Sequence, residues 1–423
     1  MKVLISGAGI GGLSAALCLL HHGCEVAICE RAEKMDDIGA GIQLPPNAMR
    51  VFAALGLDGA LTARAFKPTA LEARMGRSGR QLFTIPLEDA AAQPRWGAPY
   101  LHIHRADYIA VLEAALRAKA PDALHLGAEV SGYSQTEDAV SAHLADGRTL
   151  SGDALIAADG IHSRIQGQML GPQQPRFTGN MAWRATVPMP LLEQKSAADK
   201  PRPTACVWMG PGRHCVTYQL RGGALANFVG VVECDETLGG TYEAAESWAA
   251  RGTPAQAIAD FKDWHPTLTG LLAEATELYR WALFDRKPLP KWVDGRVALL
   301  GDAAHPMLPF MAQGAAMAVE DAWAVARALT NSLTGKNGAP QNIEPALTAY
   351  QHQRHARTAR VQAGSRANAK TFHRRSRAAQ IGTYASIWLV DKLAAKLIYQ
   401  SQDWLYGYDV TYDGAYDKIE AGS

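Results

Sequence analysis

"KVLISGAGIGGLSAALCLLHHGCEVAICE", residues 2–30, decides the fold. Its first five residues form an apolar run of strand length. Residues 12–22 then carry apolar side chains at helical spacing, and residues 25–30 form a second short apolar run. Strand, helix and strand in that order begin a βαβ unit. At the first joint, Gly7, Gly9 and Gly12 stand in G-x-G-x-x-G register. The first glycine permits the tight turn, the second lets the backbone approach a pyrophosphate, and the third lets the helix pack close to the strand. The helix N-terminus offers free N–H groups to phosphates. Glu30 ends the second strand, where a carboxylate can accept hydrogen bonds from ribose hydroxyls. A dinucleotide site is expected. NAD and FAD share this handle, so the motif alone leaves both open.

Working outward, residues 47–57 predict a helix capped by Asn47, and residues 106–119 predict another. Residues 139–157 read as a hairpin turning at "ADG", feeding the apolar strand "ALIAAD". From about 175 to 285 tryptophans, prolines and alternating stretches such as "RHCVTYQL" predict a largely antiparallel sheet. "GRVALLGDAAH" restores a buried strand ending in a turn, and the chain after Gln313 reads as mainly helical. The expected fold is α/β, with a Rossmann-like domain interleaved with an antiparallel-sheet substrate domain and followed by C-terminal helices. The expected division is 1–174 and 286–350 for the nucleotide domain, 175–285 for the substrate sheet, and 351–423 for a helical region.

With 423 residues the chain is long for one core. A net charge of +1 selects neither nucleic acid nor membrane. Six cysteines include no C-x-x-C pair, so reduced thiols, a cytoplasmic location and no metal site are expected. The N-terminus does not read as a signal peptide. The apolar stretch 381–400 is broken by Asp391, Lys392 and Lys396, which predicts an amphipathic helix rather than a membrane span. Such a helix packs on the protein or on a second subunit, which leaves a homodimer open. The Arg- and His-rich run 351–376 reads as a solvated helix face, not a nucleic-acid site.

A second Gly-Asp turn, "GDAAHPMLPFMAQG" at 301–314, follows the strand "RVALLG". Asp302 then lies at a strand's C-terminal end, where open α/β sheets bind ligands. Pro306 and Pro309 forbid regular helix, so a helix is expected to begin near Gln313–Gly314 with its positive end toward the ligand. Together "GDAAHPMLPFMAQGAAMAVEDA", "ALIAADGIHSRIQ" and "LHIHRADYIAVL" resemble the single-component FAD-dependent aromatic hydroxylases. The likeness is to the branch with salicylate, 3-hydroxybenzoate and 6-hydroxynicotinate hydroxylases, and it extends from residue 1 to "WLYGYD".

The resemblance implies that Gly7, Gly9, Gly12 and Glu30, with Arg31 beside it, hold the ADP half of FAD. Arg105 would contact FAD from a helix start, and Asp159 would serve flavin and nicotinamide binding. Asp302 would bond the ribityl chain, and the N–H groups near Gly314 and Ala315 would face the flavin ring. It also implies NADH or NADPH and O2 as co-substrates, and hydroxylation through a flavin C4a-hydroperoxide. The aromatic substrate would be a phenol or hydroxypyridine, with a carboxylate expected on the ring. The alternative is an FAD dehydrogenase or oxidase that inserts no oxygen.

His214 and Tyr218 lie four apart on a predicted strand, hence on one face. Both match substrate-pocket positions of the family, as does Gln43. His305 is open to either a structural bond or proton transfer. Pro309 and Phe310 stand where relatives carry glutamine or histidine, so Pro309 is a candidate pocket residue and Phe310 can dry a pocket but not relay protons.

Overall fold

Lys2–Ser6 pairs in parallel with Glu25–Cys29 on one side and Ala154–Ala157 on the other. This register makes the predicted βαβ unit the centre of a sheet. The computed structural model describes residues 1–35, 40–88, 94–171, 175–196, 199–234, 251–331 and 343–412. The central sheet runs Val293–Asp294, Val297–Leu299, Ala154–Ala157, Lys2–Ser6, Glu25–Cys29 and Leu124–His125. All pairs are parallel except the first. Such strands are covered on both faces, and Ala154–Ala157 and Val297–Leu299 are accordingly buried throughout. The helices Ile10–His21 and Gly314–Asn331 pack on one another through this core. At their contact, a Cβ on Gly11 would lie 2.9 Å from a Leu300 methyl and 3.3 Å from the Ala318 Cβ. The hairpin expected at 139–157 forms from Val140–Leu144 and Thr149–Gly152, with Gly147 at φ +89° in its turn.

The second layer is an eight-stranded sheet. The span 175–285 supplies six strands, in the order Arg251–Gly252, Leu278–Asp285, Arg176–Pro188, Leu225–Glu233, Arg213–Leu220 and Ala205–Gly210. The other two, Ala70–Met75 and Gln81–Pro86, come from within the expected N-terminal segment. Their entry makes one parallel pair, Ala205–Gly210 with Ala70–Met75, in an otherwise antiparallel sheet. A two-stranded ribbon, Gly41–Leu44 with Leu101–His104, lies where the layers meet. There Gly41 N–H donates to Asn227 Oδ1 at 3.0 Å.

The helix Ile343–Phe372 has 30 residues, about 45 Å by rise alone. Near its start Tyr350 hydroxyl donates to Leu299 O at 3.0 Å in the parallel sheet. At its far end it reaches Phe310 and the eight-stranded sheet. Two sequence expectations need correction. The run 351–376 is not simply a solvated face, because Arg354, Arg357 and His373 are buried. Asn47 is not a helix cap, because the helix starts at Pro46 and Asn47 Nδ2 donates to Gln313 Oε1 at 3.0 Å and Glu320 Oε1 at 2.7 Å. Polar residues here serve tertiary contacts that local pattern does not reveal.

Arg377–Gln400 is the expected amphipathic helix, and Tyr384 packs against the edge of the eight-stranded sheet with Ala73, Leu82 and Met209. Among the described residues no helix is long and apolar enough to cross a membrane.

Candidate active site

Three adjacent strands end together. Ser6 stands opposite Ala157, and Ala157 opposite Leu299. The turns that follow hold Gly7, Asp159 and Asp302, so residues nearly three hundred positions apart meet at one edge of one sheet. Hydrogen bonds fix the turns: Ala158 N–H donates to Ser6 O at 2.8 Å and Leu300 N–H to Ala157 O at 2.9 Å. The glycines are required by space. Gly7 has φ +94°, and a Cβ there would lie 2.6 Å from Ala158 O. A Cβ on Gly12 would meet Gly7 O at 1.9 Å. Gly9 has nothing within 4 Å of its Cβ position, so it borders open space at the helix N-terminus.

Glu30 clamps this loop. Its Oε2 accepts from Ala8 N–H at 2.7 Å and its Oε1 from Ala32 N–H at 2.9 Å, while Arg31 next to it is exposed. Asp159 accepts from Arg164 N–H at 3.2 Å through Oδ2, and its buried Oδ1 has no hydrogen-bond partner among the described residues. Burial raises the Asp159 pKa, opposed by Ser163 and nearby backbone N–H groups.

Asp302 is accessible to solvent yet enclosed by protein, the signature of a side chain lining a recess. That enclosure raises its pKa, while His305 and Arg105, close by, act in the opposite sense. Arg105 opens the helix Arg105–Lys119, as expected. Pro309–Met311 forms one turn of 3-10 helix, Ala312 takes a left-handed φ of 53°, and the next helix starts at Gly314 with Ala315 half-buried behind it.

The eight-stranded sheet presents the other wall. His214 and Tyr218 do share a face of Arg213–Leu220, and both are buried. The His214 ring lies 4.8 Å from Phe310, edge to face, beside the turn that begins at Pro309. The Tyr218 ring lies 4.6 Å from His102. Gln43 stands opposite His102 in the ribbon, and its Oε1 accepts from Tyr100 hydroxyl at 2.5 Å. Gly41 is obligatory here, since a Cβ would fall 2.5 Å from the Tyr218 ring. Burial pushes the Tyr218 pKa up, against a smaller effect of Arg184, so its hydroxyl keeps its proton at neutral pH. Burial, reinforced by His373, holds the His214 pKa well below normal, leaving a neutral imidazole. Burial takes His102 down to about 3.

Residues 1–365 match the model of a family described as FAD binding domain. The chain belongs to this FAD-binding family. It is 36% identical over 410 residues to 3-hydroxybenzoate 6-hydroxylase 1 of Aquipseudomonas alcaligenes, covering 96% of this chain and 97% of the relative. It is 35% identical to 6-hydroxynicotinate 3-monooxygenase of Pseudomonas fluorescens, covering 85% and 89%. The crystal structure of Klebsiella pneumoniae HpxO with FAD and uric acid superposes with a TM-score of 0.80 at 26% identity, covering 96% of each chain. The enzyme is an FAD-dependent aromatic monooxygenase, with NAD(P)H as its co-substrate. The residues fit FAD. Open space at Gly9 leaves room for a pyrophosphate, Glu30 and Asp302 would accept from sugar hydroxyls, and Asp159 Oδ1, buried with no partner among the described residues, would accept from a donor.

The sequence candidates fall in three places. Gly7, Gly9, Gly12, Glu30, Asp159 and Asp302 lie at the parallel sheet's edge with Arg105 acting on Asp302, His214 and Tyr218 lie on the eight-stranded sheet with Gln43 in the ribbon, and Pro309 is exposed in the 301–314 turn. In this FAD-binding enzyme His305 makes a structural bond. Its Nε2 donates to Asp321 Oδ2 at 2.5 Å, and its ring lies 5.2 Å from Trp292. Sequence reading missed Tyr100, His102 and His373, whose neighbours are distant in the chain. It also missed the buried set Glu320, Asp321, Arg354 and Arg357. Spacing offers one signal for that set, since Glu320 and Asp321 interrupt an otherwise apolar helix face.

Proposed function

We propose that this enzyme hydroxylates a phenolic or hydroxypyridine ring carrying a carboxylate, with NADH or NADPH and O2. The observation that carries the reading is the buried strand face bearing a neutral His214 beside Phe310 and a protonated Tyr218 beside His102. The names of the two relatives support the ring class, as both act on a hydroxylated aromatic acid. Gly7, Gly9, Gly12, Glu30 and Arg31 hold the ADP half of FAD. Arg105, Asp159 and Asp302 bind its sugar-alcohol and ring portions. Bound FAD supplies hydride acceptance from NAD(P)H and activation of O2.

The chain's own groups do the rest. His214 takes the ring hydroxyl's proton, which makes the ring more nucleophilic. Tyr218 donates a hydrogen bond to the resulting oxygen, and Gln43, held by Tyr100, orients the ring. Phe310 and Pro309 exclude water. The helix from Gly314, with Ala315, turns its positive end toward negative charge building on the flavin. Among the described residues, this reading gives 1–171 and 286–331 to the FAD part and 175–285 to the substrate sheet with 70–86 lent to it; the helix Ile343–Phe372 runs across the expected boundary at 350 into the helical region, and the expected residues 413–423 of that region lie outside the described ones. We place the enzyme in the cytoplasm, consistent with six free cysteines.

A panel of hydroxylated benzoates and pyridines tests the reading. At least one member should stimulate NADH oxidation and yield a product heavier by one oxygen. No stimulation by any hydroxylated benzoate or pyridine would contradict the proposed substrate class. The enzyme is also proposed to pair as a homodimer through Leu389 and Leu393, spaced one turn apart and 49% and 77% exposed. Sedimentation should show a dimer for the native chain and a monomer for Leu393→Glu; a native monomer would contradict the pairing.

A further inference from the structure

We propose that Glu233 and His373 form a hydrogen-bonded relay that fixes the tautomer of His214 and carries its proton from the buried pocket to solvent. The inference rests on the reading of His214 as the group that takes the substrate's proton. Two short contacts build it. His214 Nδ1 lies 2.6 Å from His373 Nε2, and His373 Nδ1 lies 3.0 Å from Glu233 Oε1. His214 and His373 are 2% and 5% exposed, whereas the Glu233 side chain is 28% exposed. The chain of groups therefore runs from the interior to the surface without a gap.

The carboxylate sets the direction. An ionised carboxylate only accepts, so the His373 proton facing it sits on Nδ1. His373 Nε2 is then an acceptor, so His214 must donate from its own Nδ1. The lone pair of His214 is left on Nε2, the other ring nitrogen and the one available to a substrate hydroxyl. As the ring O–H bond breaks, its proton joins His214 Nε2. The Nδ1 proton of His214 passes to His373 Nε2, and the Nδ1 proton of His373 passes to the Glu233 carboxylate and on to water. Each imidazole gains and loses one proton and ends neutral, and the negative charge left in the pocket is the ring oxygen's, which Tyr218 meets.

His373 is held for this. It follows the last turn of Ile343–Phe372, and its carbonyl accepts from Gly212 N–H at 3.2 Å. Tyr384 hydroxyl closes the helix end on Thr371 O and Phe372 O, each at 3.2 Å. Glu233 N–H donates to Gly212 O at 2.9 Å, so carboxylate and imidazole hang from one turn. The charged groups acting on His373 are Glu233, which favours its protonated form, and Arg375 and Arg213, which oppose it. Arg375 also pairs with Glu233 Oε2 at 2.5 Å. Two imidazoles in an apolar setting of Phe310 and Phe372 cost stability compared with apolar side chains, which points to a use for their polarity.

The test uses the FAD-loaded full chain labelled with 15N-histidine, with resonances assigned through His373→Gln and His214→Gln. Ligand-free enzyme at neutral pH should show both rings neutral with the proton on Nδ1. Glu233→Gln should lower the His373 pKa, and Arg375→Ala should raise it. With 3-hydroxybenzoate as probe, His373→Ala that remains yellow and folded should lose at least about tenfold in kcat, less than the about 10²–10⁴ of a group that itself transfers the substrate's proton. Added imidazole should restore part of that rate. An Nε2-protonated His214, or an unaltered kcat and pH profile in folded His373→Ala, overturns the relay. If 3-hydroxybenzoate fails to stimulate NADH oxidation, that probe fails as a substrate, and the tautomer spectrum still decides the relay.

Discussion

Arg354→Ala is expected to destabilise the enzyme by about 3–5 kcal/mol, the cost of stranding a buried charge. Arg354 is fully buried, as are Glu320 and Asp321. Its Nη1 donates to Glu320 Oε2 at 2.6 Å and its Nε to Asp321 Oδ1 at 2.7 Å. Arg357 supports Glu320 from the other side at 2.7 Å, and His305 supports Asp321. Removing Arg354 leaves Asp321 with no arginine partner among the described residues, directly behind the 301–305 turn that carries Asp302. Thermal melting should report a large drop in Tm, with FAD lost at lower temperature. An unchanged Tm would show that the pair of carboxylates does not depend on this cation.

The same set gives a pH dependence with a definite sign. Burial pushes the Glu320 and Asp321 pKa values up. For Glu320 the arginines, and for Asp321 His305 and Arg354, outweigh it, so both end below normal. A depressed folded-state pKa contributes stability that is present above the unfolded value, about 4, and is lost as pH falls toward the folded one. Wild-type stability should therefore fall in acid below about pH 4. In Arg354→Ala the carboxylates lose that support, and mild acid should narrow its deficit relative to wild type rather than widen it.

Gly12→Ala and Gly9→Ala should fail in different ways. At Gly12 a methyl would overlap Gly7 O at 1.9 Å and touch the Ile5 side chain at 3.4 Å. The obstacle is backbone, and Gly7 itself is backed by Ala158 O. The helix must therefore move off the strand, at a cost of about 1–3 kcal/mol or more. The expected product is destabilised protein without yellow colour. At Gly9 the methyl meets nothing, so the fold and Tm should stay near wild type. The methyl would instead occupy the space assigned to the pyrophosphate and weaken FAD binding at least about tenfold, or about 1.4 kcal/mol. Absorbance at the flavin band against protein, measured with Tm, separates the two. Wild-type FAD affinity in Gly9→Ala would place the phosphates elsewhere.

The nucleotide side of the site was legible because its constraints are local. Gly12 meets Gly7 O within a single strand–turn–helix, Gly7 needs its φ of +94° in the turn, and Asp302 follows an apolar run that could only be a buried strand. The helix start at Gly314 was readable from the prolines that forbid an earlier one. The second layer was less legible, because the sheet draws Ala70–Met75 and Gln81–Pro86 from far upstream and no periodicity announces such pairing. Arg354, Arg357 and His373 were hidden for a related reason. A basic helix looks solvated until its partners, Glu320, Asp321 and Glu233, are brought in from distant elements. Asn47 looked like a cap because capping is local, whereas its actual partners are Gln313 and Glu320.

The central claim is that the turns after Ser6 and after Leu300 grip opposite halves of one flavin. A crystal structure of the yellow, FAD-loaded enzyme tests it most directly. The pyrophosphate is expected over Gly9, with an Asp302 carboxylate oxygen within hydrogen-bond distance of the ribityl hydroxyls. A protein that takes up no FAD, or one whose Asp302 stands away from the ribityl chain, would contradict it.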